Sequence, residues 1–205
     1  MTTVINEERR RRGRPPAFDR AEVLGRAAIL FWQRGYEGTS ISDLTEAMGI
    51  TPQSLYAAFG SKAELYRDAV SWYLHNVGES GWQEAEDVVD AFRTLLEDTA
   101  VNFTRPGYPP GCMISTAVLT AAVENIDVAA HMSQLREANV GRFVERLRRA
   151  ISEGQLRPDA DVTALARFLG AIIQGMAVQA RDGADTATLR DIAGMAIAQL
   201  ERWRV

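Results

Sequence analysis

Two short helices with every end marked lie between Ser40 and Lys62, and this pair constrains the fold more than any other stretch of the chain. Ser40 stands where a hydroxyl caps the first helix, and Asp43, three residues on, can reach back to the free backbone N–H groups. Gly49 follows at the position that favours a left-handed residue, so the helix ends there. Thr51 caps the second helix, and Pro52 takes its first turn, where a missing N–H costs nothing. Leu55 and Phe59 share an inner face, which leaves Gln53, Ser54, Tyr56 and Ala57 pointing outward. This spacing predicts a helix-turn-helix whose second helix enters the major groove of DNA. A core segment with ordinary caps carries the same marks, so the surrounding residues must decide.

Charge supplies the next constraint. The formal net charge of −4 argues against nucleic acid, but its distribution matters more than its sum. Residues 1–62 carry nine basic and seven acidic side chains, whereas the rest carries 14 basic and 20 acidic. Arg9, Arg10, Arg11, Arg12 and Arg14 concentrate the positive charge in a stretch of Pro and Gly without periodicity. Residues 1–18 are therefore expected to form a flexible basic arm, with Arg11, Arg12 and Arg14 suited to a minor groove. A solvated tail is the competing reading.

The match then widens. Val23-Leu24, Ala27-Ala28, Leu30-Phe31, Gly35-Tyr36, Thr39-Ser40, Leu44, Met48-Gly49, Leu55-Tyr56, Phe59 and Lys62 stand at the spacing of the TetR/AcrR family of transcriptional regulators, which this third of the chain resembles. The resemblance implies an all-α chain: a three-helix DNA-binding head over residues 19–62, then a helical ligand-binding and dimerisation domain over 63–205. It also implies that Tyr56 and Lys62 contact phosphates. Gln53 and Ser54 are the candidates for base edges and Ala57 for a thymine methyl, with Thr39, Ser40 and Thr51 completing the DNA-binding set. Thr45 departs from the alanine often found at its position, which leaves the angle of the recognition helix open. The second domain varies widely in such proteins, so the resemblance does not name a ligand.

Helical spacing predicts a first helix from Asp19 or Arg20 to Arg34 and a fourth from Ser61 toward Tyr73. Beyond them it predicts helices at about 83–103, 111–124, 127–153, 161–181 and 186–203. A cavity among these helices would draw on Phe103, Met113, Ala117, Phe143, Phe168, Ile172 and Met176 as walls, with His131, Asn139 or Gln174 as polar anchors. The last two helices are apolar nearly all round, which suits burial against a second copy in a four-helix bundle or, alternatively, burial within one chain. The expected partners are a palindromic double-stranded operator, a small-molecule effector and a second subunit.

Cys112, the single cysteine, opens a helix after a Pro/Gly loop, where the dipole would favour thiolate and suit a sensor of oxidants or electrophiles. A small buried core residue is the alternative. One cysteine rules out an intrachain disulfide framework and suits a reducing cytoplasm. The longest apolar run, around Ile172, is broken by Gln174 and Gly175, so no membrane span is expected. Neither the two histidines nor any Ser/His/Asp grouping, phosphate loop or carboxylate pair stands at catalytic or metal-binding spacing, so no enzyme, metal or cofactor is expected. A ligand-binding scaffold that does not act on DNA is the reading from another class.

Overall fold

The computed structural model describes residues 18–77, 81–116, 118 and 121–205. Four helices make the N-terminal part: α1 (Arg20–Arg34), α2 (Ile41–Met48), α3 (Pro52–Phe59) and α4 (Lys62–Asn76). Five follow: α5 (Val88–Phe103), α6 (Met113–Thr116), α7 (Ile126–Ser152), α8 (Val162–Arg181) and α9 (Thr186–Glu201). Short 3₁₀ turns lie at Trp82–Glu84 and Val123–Asn125. Among the described residues there is no strand, only one isolated bridge between Leu156 and Arg204.

Local chemistry sets most boundaries. Asp19, Ser40, Thr51, Ser61, Asp87, Asp161 and Asp185 each accept backbone N–H groups at the start of a helix, the arrangement that satisfies the orphan donors there. Ser40 and Asp43 form a reciprocal capping box, and Gly49 closes α2 at φ 68. Thr45, whose presence left the helix angle open, donates its hydroxyl to the Ser42 carbonyl at 3.0 Å, within α2. α7 breaks the pattern: Asn125 stands at its cap but makes no capping bond. Its side chain is turned to Glu37 instead.

Two predicted helices differ from the structure. The one expected at 83–103 begins at Val88, because Asp87 caps there and the preceding residues form a 3₁₀ turn. The one expected at 111–124 is reduced, among the described residues, to the single turn Met113–Thr116. Gly111 explains why this segment runs so close to α8. It sits at φ 79, and a Cβ there would lie 2.5 Å from the Ala177 carbonyl oxygen, so only glycine fits.

The head core packs Val23, Ala27, Phe31, Leu44, Met48, Leu55, Phe59, Leu65 and Tyr66, all nearly inaccessible. Because Leu65, Tyr66, Ala69 and Val70 of α4 are buried with them, α4 completes the head and then continues into the body. Phe31, Tyr36 and Tyr66 meet at centroid separations of 5.0–6.2 Å. In the body, Trp82, Phe92 and Phe143 form a second aromatic cluster at 5.3–5.6 Å. Truncating any such ring to alanine costs about 3–5 kcal/mol.

α8 is the most apolar of the long helices. By length and composition it is apolar enough to cross a membrane despite Gln174 and Gly175, yet 33% of its apolar window is buried inside this chain. It packs on α5, α7 and α9. Ala164, Ala171, Gly175 and Val178 of α8 are exposed, Phe168 and Ile172 half-buried, and Met195 of α9 is 77% exposed. Of these, Ala164, Phe168, Ile172 and Met195 line an open groove between the helices. Ile197 of α9, by contrast, is 2% exposed and belongs to the core of a single chain.

Candidate nucleic-acid interface and internal cavity

α3 presents its predicted face. Leu55 and Phe59 anchor it in the head, while Thr51, Gln53, Tyr56 and Ala57 are exposed, Tyr56 at 48%. The phenol is thus not a half-buried core aromatic. Ser54 is less free than the pattern suggests: its hydroxyl lies 3.0 Å from Thr51 Oγ1 and it is only half-exposed. Gln53 is left as an exposed polar side chain on the first turn, with no hydrogen bond among the described residues.

Two further members of the expected DNA-binding set, Thr39 and Ser40, also have internal work. Thr39 is 1% exposed and donates its hydroxyl to the Gly35 carbonyl at 2.6 Å, so it is removed from the exposed face. Ser40 spends both its hydroxyl and its backbone N–H on Asp43. Those bonds, helped by Arg34, hold the Asp43 carboxyl below its ordinary pKa. Arg11, Arg12 and Arg14 lie outside the described residues, as does Ala117.

Lys62, the only lysine of the chain, occupies the first position of α4, where the helix dipole favours anions nearby. Its ammonium sits 4.3 Å from the centroid of the Tyr36 ring, a cation–π contact. Burial lowers its pKa, opposed by the charges of Glu37 and Asp43. Lys62 therefore stands between the face of α3 and the joint with the body.

That joint is polar and was not legible beforehand. Glu37 accepts from the Ala122 N–H at 3.0 Å and from Asn125 Nδ2 at 3.0 and 3.2 Å, which lowers its pKa, the backbone bond contributing most. Arg67 pairs with Asp127 at 2.5 Å. Arg181 donates to the Trp32 and Gln33 carbonyls and to Thr116. Each partnership joins residues about 60–150 apart in the chain, and no local spacing signals them.

Beyond the end of α4 lies a cavity of about 110 Å³, lined by Tyr73, Leu74, Val77, α5, the 112–115 segment, α7 and α8. Of the predicted walls, Phe103 and Phe143 line it, and of the predicted polar anchors, Asn139 and Gln174. Met113 and Met176 are fully buried in the core instead, and His131 is half-buried on α7 away from the lining. Phe168 and Ile172 line the outer groove beside α9. The reason is rotational: on α7 the lining residues are Arg136, Asn139, Val140 and Phe143, one face at helical spacing, and His131 falls off it. Arg136 belongs to the same face by that spacing, though it is not among the expected lining residues.

Cys112 also lines the cavity, 9% exposed, its sulfur accepting from the Tyr73 hydroxyl at 3.4 Å. Among the described residues the helix that follows it is the single turn Met113–Thr116.

Residues 23–69 match the family described as bacterial regulatory proteins, tetR family, and residues 89–195 match the tetracyclin repressor-like C-terminal domain. The chain is 35% identical over 187 residues to the HTH-type transcriptional repressor ComR of Escherichia coli K12, covering 89% of each. It is 26% identical over 203 residues to the HTH-type transcriptional repressor BdcR of the same organism, covering 94% of each. Among solved structures, a cysteine variant of the regulator CifR complexed with 26-bp double-strand operator DNA superposes with a TM-score of 0.85 at 39% identity. That match covers 90% of this chain and 98% of the other.

Proposed function

This chain belongs to the TetR family of bacterial regulatory proteins, and on that footing we propose that it is a transcriptional repressor which leaves its operator when a small molecule fills the cavity beside Tyr73. The observation that carries this reading is the outer face of α3. Gln53, Tyr56 and Ala57 are exposed on a helix whose inner side is locked by Leu55 and Phe59, on a chain similar along its length to repressors.

A second copy completes the site. The uncovered apolar face of α8 and α9 suits a four-helix bundle between subunits, which sets two heads on a palindrome about 34–36 Å apart. We divide the chain accordingly: residues 1–18 as a basic arm following the minor groove, 19–62 as the DNA-reading head, and 63–205 as the ligand-binding and dimerisation domain. Gln53 reads base edges, Tyr56 and Lys62 contact phosphates, and Arg11, Arg12 and Arg14 belong to the arm. Such a regulator works in the cytoplasm, where the operator lies, and we assign it no catalysis.

Selection from a random DNA library, followed by fluorescence anisotropy, tests the proposal. A palindromic consensus is expected, with affinity falling about 10³-fold between 50 and 200 mM salt if about six phosphates are neutralised. Binding that shows no sequence preference would leave a scaffold or a non-specific DNA binder instead.

A further inference from the structure

We infer that the effector is a short-chain monocarboxylate whose carboxylate pairs with Arg136, an assignment that rests on the effector reading above. Arg136 lies on the α7 face that lines the cavity, half-buried, with one hydrogen bond, from Nη1 to the Ile114 carbonyl at 3.1 Å. A guanidinium carries five N–H donors. Among the described residues Arg136 forms no ion pair, although other arginines do: Arg67 with Asp127, Arg149 with Glu153 and Arg167 with Glu137.

The polar residues that share the wall with Arg136, Asp98 apart, among them Asn102, Asn139 and Gln174, are neutral and cannot replace a counter-ion. Leu95, Phe103, Ile114, Val140 and Phe143 make much of the wall, and a cation set against such a surface is costly until an anion meets it. A carboxylate accepts two parallel N–H bonds from a guanidinium, which makes it the group that satisfies Arg136 best. Asp98, the carboxylate of the same wall, already has a partner of its own. At about 110 Å³ the space is slightly smaller than a cavity of about 150 Å³ that takes benzene. The remainder of the ligand is therefore an apolar body of no more than about four carbons.

The test uses pentanoate with two probes of similar size, pentanamide and pentylamine, on the full-length protein. Calorimetry on the wild type should show pentanoate binding about ten- to a hundredfold more tightly than pentanamide, the effect of one charge-assisted pair. Arg136→Gln should erase that preference, and Arg136→Lys should keep part of it, with circular dichroism showing both variants folded. Pentanamide or pentylamine binding as well as pentanoate would overturn the assignment. So would an undiminished preference in Arg136→Gln, or no pentanoate binding up to roughly 10 mM, weaker than which a specific site has little meaning. Operator release is read separately: selective pentanoate binding without release keeps the carboxylate site and removes the effector reading.

Discussion

The Nη2 of Arg181 donates to the carbonyl oxygen of Gln33 at 3.0 Å, so the last residue of α8 closes the last turn of α1. The same guanidinium reaches the Trp32 carbonyl and Thr116 Oγ1, both at 3.3 Å. A cation at the negative end of α1, holding carbonyls that have no intrahelical donor, joins three parts of the molecule. They are the head, the segment that walls the cavity, and the helix that carries the outer apolar face. Displacement of the 112–116 segment by a ligand has this direct route to α1.

Arg181→Met should therefore cost little stability, about 1 kcal/mol, because the side chain is exposed and its bonds are shared with water. Its larger effect is expected on coupling. Operator binding without effector should weaken, and the ratio of affinities with and without effector should shrink several-fold. A variant with the full wild-type ratio in anisotropy titrations would show that Arg181 is only a helix cap.

Glu37 makes the joint acid-sensitive. Its carboxyl is held below the ordinary glutamate value of about 4.3 by the Ala122 N–H and Asn125. The stabilisation is fully present above that value and is lost as pH falls through the lowered folded pKa. Thermal melts should steepen in their pH dependence below about pH 4.3, and Glu37→Gln should flatten that limb. Identical acid limbs in the two proteins would place the sensitive carboxyl elsewhere.

Base selection and general affinity should separate between Gln53 and Lys62. Gln53→Ala is expected to lose roughly 1–3 kcal/mol against the preferred base and relax one position of each half-site. Lys62→Ala should weaken all sequences about equally, and should also lower head stability by about 0.5–1 kcal/mol through loss of its contact with Tyr36. Binding-site selection on both variants decides the matter. Changed base preference in Lys62→Ala alone would mean that α3 docks differently.

Met195 and Ile197 should divide assembly from folding, although they are neighbours on α9. Met195 is 77% exposed in one chain and Ile197 2%. Met195→Asp should give a folded monomer that no longer grips a palindrome, because an unpaired charge buried in the bundle costs about 3–5 kcal/mol. Ile197→Asp should fail to fold. Sedimentation velocity with circular dichroism checks both, and a dimeric Met195→Asp would move the subunit contact away from this face.

What the sequence determined by itself is the part whose physics is local. Ser40 with Asp43, Gly49, Thr51 with Pro52, and the alternation of Leu55 and Phe59 with Gln53 and Tyr56 act within a turn or two of helix. The helices of the head are therefore set by residues adjacent in the chain. The α7 face of Arg136, Asn139 and Phe143 is legible in the same sense, as a spacing, although Arg136 is not among the expected lining residues. Tertiary structure decided the rest, because those outcomes depend on atoms far apart in the chain. Asn125 forgoes its own helix to meet Glu37, and Thr39 turns inward to Gly35. Ile197 is buried while Met195 is bare, and Arg181 finds Gln33 across 148 residues. A cap is fixed by neighbours on the chain, but the rotation of a helix and the partner of a long polar side chain are fixed only by what packs against them.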